Sequence, residues 1–292
     1  MQVFSSRKRE HSIGWAFTAL LLGILVIGSI VAWRGDDALM RATSIIAGLS
    51  WLALLWAMLS QNAAWAAWRG CLQFIACWLI FPLFKAIRQG WISRVYDQEL
   101  LALDRTLWAG QSLPEHCLTW ENFWLSEVLS FGYLSFYLIV LLPMCWYAWK
   151  RKEREARDFF LGLSMMYLAG FSGYLLFPAG GPFIAFPQIF PYPPEGGVIT
   201  SFLVRLVGQG VTGMDVFPSL HTGISLYILG FFVLIPKQTR VHRLVVLALA
   251  ALVAPLIAAT VYLRYHYGLD LIAGAALALI VLIFVRREYQ KS

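Results

Sequence analysis

Charge is what this chain has least of. Only 13% of its 292 residues are Asp, Glu, Lys or Arg, against 60% that are hydrophobic, and the mean hydropathy is +0.68. Soluble domains carry about a quarter charged residues and at most about half apolar ones, so a soluble globular domain is excluded. Disorder and a collagen-like fibre fall with it. Cysteine is sparse too: Cys71, Cys77, Cys117 and Cys145 show neither a CxxC pair nor a Cys/His zinc spacing, and packing is their expected role. A small-residue cleavage site is missing after the basic start, and the apolar stretch at 13–33 is too long for a signal-peptide core, so it reads as a retained first helix. There is no internal repeat and no low-complexity linker.

What the chain has instead is a succession of long apolar runs. A bilayer core needs about 20 apolar residues per helix. On that length, spans are expected near 13–33, 42–60, 63–85, 123–148, 157–177, 216–235, 242–263 and 268–285. The fold class is therefore an all-α integral membrane protein with about eight transmembrane helices. The 13 Trp and 12 Tyr suit the interfacial belts of such a protein. The net charge of +7 is explained by basic cytoplasmic loops rather than by nucleic acid. Arg7, Lys8 and Arg9, the run Lys150 to Arg157, the group Lys237, Arg240 and Arg243, and Arg286, Arg287 and Lys291 all fall on one side when both termini are cytoplasmic. The connections 34–41, 86–122, 178–215 and 264–267 then face outward, the mixed charges of 86–122 being the one feature that pulls the other way. The expected organisation is a cytoplasmic N-terminus at 1–12, N-terminal transmembrane helices over 13–90, an outer-face interfacial segment at 91–122, a catalytic transmembrane core at 123–286 and a cytoplasmic tail at 287–292.

Ionisable groups at membrane depth cost about 2.5–3.5 kcal/mol near a helix centre and tend to mark function. The apolar C-terminal half holds few of them. Asp215, Ser219 and His221 form one cluster, and Arg264, His266 and Asp270 a second, about 45 residues on. The expected topology brings both to the outer face. His266 and Asp270 are four apart, which on a helix puts them on one side, so that the carboxylate accepts from Nδ1 and leaves Nε2 as nucleophile or base. Arg264 has the forked donors that suit phosphate oxygens. Pro218 suits a first helical turn, Ser219 with the free N–H groups there suits an anion, and His221 can carry a proton from the opposite side. Together these residues fit phosphoryl transfer through a phosphohistidine, with no metal and no cofactor required. Each also has a structural alternative: a hydrogen-bonded pair for His266 and Asp270, a snorkelling anchor for Arg264, a helix cap for Asp215. The loop containing Gly180 and Gly181 reads either as a stiff outer connection or as a lid whose two backbone N–H groups approach phosphate.

Pro218-Ser219-Leu220-His221 and His266-Tyr267-Gly268-Leu269-Asp270 together resemble the second and third signatures of the type 2 phosphatidic acid phosphatase superfamily. The string Tyr262 to Tyr267, with Asp104-Arg105, Glu127, Tyr133 and Tyr174 to Pro182, is most similar to the inositol phosphorylceramide synthase branch. The resemblance covers roughly 100–285 and implies a six-helix phosphatase-like core preceded by extra N-terminal helices. It also implies that His266 attacks phosphorus, Asp270 orients it, His221 protonates the leaving group and Ser219 helps hold phosphate. Two departures stand out. The superfamily's first signature, a lysine followed after six residues by Arg-Pro, is absent, and Ala259-Thr260 replaces the Ser-Arg that opens the third. Arg264 is the candidate replacement for that arginine.

The expected function is lipid phosphoryl or head-group transfer at the extracytoplasmic face, acting on a lipid phosphate or phospholipid, with an alcohol or sugar as acceptor. A lipid phosphate phosphatase, with water as acceptor, shares the first step. A proton-coupled transporter is the alternative from another class, since intramembrane His, Asp and Arg also build proton relays. A site with two His and one carboxylate could hold a metal as well, although Arg264, two residues from His266, would repel it.

Overall fold

The computed structural model describes residues 2–60, 63–149, 154–234 and 239–291. Among them there are thirteen helices and no strand. In chain order they are α1 (Gln2–Arg34), α2 (Ala38–Leu59), α3 (Ala63–Ile80), α4 (Leu83–Gly90), α5 (Asp97–Leu107), α6 (Leu113–Leu118), α7 (Phe123–Trp149), α8 (Arg154–Leu176), α9 (Pro182–Ala185), α10 (Val198–Gly210), α11 (Leu220–Leu234), α12 (Arg240–Tyr262) and α13 (Gly268–Lys291). Six segments are long and apolar enough to cross a bilayer: His11–Arg34, Ala38–Leu59, Phe123–Trp149, Arg154–Leu176, Arg240–Tyr262 and Gly268–Gln290. Their outer faces are apolar as well. In α2, Ile45, Ile46, Leu49, Leu52, Trp56 and Leu59 are exposed, an arrangement that is stable only against lipid or other apolar surface. The chain is an all-helical, multi-pass membrane protein.

The expected eight spans become six clear spans, one bent pair and one short helix. The third, expected over 63–85, bends by 43° between Trp68–Ile80 and Leu83–Gly90. Pro82 sits at the break, where its ring and missing N–H interrupt the helical ladder. The sixth, expected over 216–235, starts only at Leu220, because Pro218 and Ser219 precede the helix instead of entering it. Its fifteen residues rise about 22 Å, short of a bilayer core of about 30 Å. The outer segment expected at 91–122 opens with six residues without helix before α5 begins at Asp97. Of the basic residues used to orient the chain, Lys150, Arg151, Lys152 and Lys237 lie outside the described residues.

The chain divides into two compact units. The first comprises Met1–Ser93, Pro143–Ser172 and Ile280–Ser292. In it α2 packs on α3 and α1, and α1 packs on α4, around Phe17, Leu21, Ile24, Leu54, Phe74, Ile80 and Phe84. Gly70 lets α3 lie directly on Phe160: a Cβ at Gly70 would stand 2.3 Å from the ring. Buried polar side chains pair with one another in it, as in Ser164 Oγ donating to Gln73 Oε1 at 2.8 Å and Trp78 Nε1 donating to the Tyr167 hydroxyl at 2.9 Å.

The second unit comprises Arg94–Leu142 and Gly173–Leu279 and contains both clusters singled out in the sequence. Here the packing is organised by carboxylates. The buried face of α5 is Asp97, Leu100, Leu101 and Asp104, one helical stripe with acids at its two ends. Its leucines join Ala179, Phe190, Val216 and Tyr267 in an apolar cluster. Asp97 accepts from the backbone N–H groups of Gly180 and Gly181 at 2.9 and 2.8 Å and from the Tyr267 hydroxyl at 3.0 Å. Asp104 accepts from the N–H groups of Leu113 and Leu269 at 2.9 and 2.7 Å. From α7, Glu127 accepts from the N–H groups of Gly197, Ile199 and Thr200, at and within the start of α10, where a helix leaves its amides unpaired and attracts negative charge.

Candidate active site

The second histidine cluster is built by the way α12 ends. After Tyr262 the Tyr265 N–H donates to the Thr260 carbonyl at 3.0 Å and the Arg264 N–H to Val261 at 2.9 Å, the two bonds of a Schellman turn. That turn needs a left-handed residue, which is usually glycine, yet the position is filled by Arg264 with φ of +65°. An L-residue there costs on the order of 1 kcal/mol. In this conformation the side chain lies in the interior, where Arg264 is 1% exposed. One of its nitrogens, Nη2, donates to Glu121, while Nε and Nη1 are buried with no hydrogen-bond partner. Buried, unpaired donors on a charged group are costly and point to a missing anionic ligand.

The turn delivers His266, whose N–H also donates to the Thr260 carbonyl at 2.9 Å. His266 is buried, and its Nδ1 lies 3.3 Å from Asp270 Oδ2. A carboxylate only accepts, so this contact fixes the proton on Nδ1 and leaves Nε2 with its lone pair. The same Asp270 oxygen accepts from the Tyr267 N–H at 2.8 Å, which locks the carboxylate at the first turn of α13. The pair expected from the i, i+4 spacing is present.

The first cluster is joined to the second through the backbone. Ser219 N–H donates to the Asp270 carbonyl at 3.1 Å, and Gly274 lies so close that a Cβ there would stand 2.3 Å from the Ser219 carbonyl oxygen. This contact sets the start of α11 against α13. Ser219 itself caps α11: its Oγ accepts from the Thr222 N–H at 3.3 Å. The capping role expected for Asp215 therefore falls to Ser219. Asp215 lies five residues before the helix and accepts from the Thr212 hydroxyl at 2.6 Å. His221 stands with its ring centroid 5.7 Å from that of His266. Tyr133 and Phe136 from α7 flank it at 4.8 and 4.6 Å. Tyr133 also packs on Tyr265, whose hydroxyl is 3.0 Å from that of Tyr192, and Phe183 stacks against Tyr192.

The structure thus brings together His221, His266, Asp270, Ser219 and, two residues along the chain, Arg264. It does not leave Gly180 and Gly181 open to a phosphate. Both amides are committed to Asp97, so their role is corrected to that of a tether holding the loop on α5. Asp97, Glu121 and Gly274 were not assigned from sequence. A signal existed for Asp97: its spacing of seven from Asp104, with Leu100 and Leu101 between, marks an acidic residue on a buried helical face. Among the described residues no group of three or more His, Cys, Asp and Glu is arranged to hold a metal ion.

Outside the membrane-spanning helices Arg105 and Glu115 form a two-bonded ion pair. Arg105 Nε and Nη2 both donate to Glu115, at 2.9 and 2.5 Å, and with the Ser112 capping contacts this holds the Glu115 carboxyl down at about 2. It braces α5 against α6, next to the contacts that Asp104 makes.

Comparison with known proteins gives one result. A family model described as PAP2 superfamily matches residues 98–284, well over half of the chain and nearly all of the second unit. No curated protein and no solved structure matches the chain.

Proposed function

The chain belongs to the PAP2 superfamily, a family of phosphatase and phosphotransferase chemistry, and from that premise we propose that it is a lipid phosphotransferase working through a phosphohistidine. Nε2 of His266 attacks the phosphorus of a lipid phosphoester. The bond from phosphorus to the leaving oxygen breaks, and protonated His221 gives that oxygen its proton. An acceptor hydroxyl then passes its proton to His221 and attacks the same phosphorus, freeing His266. Asp270 orients His266 and steadies the positive charge that forms on it. Arg264 holds the phosphoryl oxygens, and the capped start of α11 adds a favourable dipole.

The observation that carries this reading is the pair of imidazoles with centroids 5.7 Å apart, one backed by a carboxylate, beside an arginine with two unpaired buried nitrogens. Transfer to an alcohol, in the manner of the inositol phosphorylceramide synthase branch, is favoured over hydrolysis by the surroundings of His221. Tyr133 and Phe136 flank it and Tyr265 packs against Tyr133, a setting that excludes water while leaving apolar faces for an acceptor such as a sugar or a second lipid. The residues given roles here all lie in the second unit and inside the expected core at 123–286. The charge distribution supports cytoplasmic termini and a site on the extracytoplasmic face.

The test uses purified protein in detergent with a panel of lipid phosphates and phospholipids, with and without EDTA. Head-group exchange without release of inorganic phosphate, insensitive to EDTA and lost in His266→Ala and His221→Ala, is the expected result. Phosphate release lost in both variants would make it a phosphatase instead. Variants that behave like the wild type would remove the site.

A further inference from the structure

Glu121 is the residue at this site that the reaction above does not use. It lies in the short connection between α6 and α7 and accepts from Arg264 Nη2. Its second oxygen, Oε1, accepts from the Glu195 N–H at 2.8 Å, so the carboxylate is tied at both ends and cannot simply swing away. Its side chain is 23% accessible, while that of Arg264 is 1% accessible. Among the described residues Arg264 is the single Lys or Arg that is buried. Arg94 and Arg105 are paired with Glu99 and Glu115, and Arg205 on α10 is exposed. The one buried cation available to a phosphate is therefore already half neutralised by a fixed anion, and Asp270 adds a second carboxylate behind His266.

We propose that Glu121 is a specificity-determining residue that sets the charge of the phosphate group the site accepts. With Glu121 in place, Nε and Nη1 of Arg264 can hold one phosphoryl charge. A second charge finds no second guanidinium or ammonium group among the buried described residues and meets the Glu121 carboxylate. Phosphate monoesters and inorganic phosphate carry nearly two charges above pH of about 7, whereas a diester carries one. The site thus selects singly charged phosphate groups and rejects doubly charged ones, by repulsion rather than by shape. This rests on Arg264 being the phosphate ligand.

Binding, rather than turnover, separates the two claims. Inorganic phosphate and dimethyl phosphate are titrated at pH 8 against the full-length protein in a maltoside detergent, followed by phosphorus NMR line broadening. The wild type is expected to bind dimethyl phosphate more tightly. Glu121→Gln and Glu121→Ala are expected to tighten inorganic phosphate by about tenfold or more and dimethyl phosphate by less than about threefold, since a dianion feels the removed carboxylate about twice as strongly as a monoanion. Arg264→Gln is expected to lose both anions. If the Glu121 variants leave the ratio unchanged while Arg264→Gln loses both, the selectivity proposal is overturned and the phosphate site stands. If Arg264→Gln binds both like the wild type, the phosphate site itself is wrong and the proposal falls with it.

Discussion

The two compact units bury polar groups for different ends. In the first, Thr18 donates to the carbonyl of Gly14 and Ser44 to that of Arg41, one turn back on the same helix, and Gln73 takes the hydroxyl of Ser164. The first two stay within their own helix, and the third is a single bond between neutral groups on α3 and α8. In the second unit Asp97 reaches Gly180, Gly181 and Tyr267, Asp104 reaches Leu269, Glu127 reaches the start of α10, and Glu121 joins Arg264 to Glu195. Each carboxylate there ties segments tens of residues apart. Helix packing alone suffices for a membrane scaffold, whereas a reacting pair of imidazoles must be held by directional bonds from several elements.

Substitutions can break this contrast, and the largest effect belongs to the histidines. His266→Ala is expected to lower turnover on the order of 10⁴-fold, as loss of a nucleophile does, and His221→Ala by about 10²–10⁴-fold, as loss of an acid–base group does. Both should elute as folded protein on size exclusion, and steady-state assays with the reactive lipid check the rates. A milder pair of substitutions sharpens the comparison, because the same methyl group is added to each unit. Gly274→Ala places a Cβ 2.3 Å from the Ser219 carbonyl, and Gly70→Ala places one 2.3 Å from the Phe160 ring. Each should cost about 1–3 kcal/mol of stability in a thermal unfolding assay. Only Gly274→Ala should also lower turnover, by on the order of 10²-fold, because it pushes the two clusters apart by part of an ångström. Equal turnover in the two variants would erase the distinction.

The smallest effect is on pH dependence. The Glu115 carboxyl is held at about 2 against an ordinary 4.5 by Arg105. A lowered folded value means that the pair stabilises the protein fully above about pH 4.5 and that its contribution fades as the pH falls toward 2. Glu115→Gln should therefore be less stable than the wild type at pH 6 by at most about 1 kcal/mol, the pair being partly exposed, with the gap closing on acidification. A gap that widened toward low pH would contradict the assignment.

Much of the fold was legible because apolar length is a direct physical requirement of the bilayer: six of the expected spans appear as helices close to their expected bounds. The other two differ at prolines. Pro82 bends the third, and Pro218 delays the start of the sixth, effects that a count of apolar residues does not register. At the site, the i, i+4 spacing announced the His266–Asp270 contact because both residues lie within one turn of chain. The partners of Gly180, Gly181 and Asp215 are not legible in the sequence for the opposite reason: which group takes an amide or a hydroxyl depends on Asp97, 83 residues from Gly180, or on where a helix begins. The left-handed Arg264 gave no sequence signal, since the glycine that usually marks such a turn is missing.

The central claim is a covalent bond between His266 and phosphorus. Protein incubated with its donor phospholipid, quenched in alkali where phosphohistidine survives, digested and analysed by mass spectrometry tests it most directly. The account predicts a phosphoryl-bearing group on the peptide containing His266, formed only when the donor is added and absent in His266→Ala. A modified peptide containing His221 instead, or turnover by the wild type with no modified peptide under any quench, would contradict it.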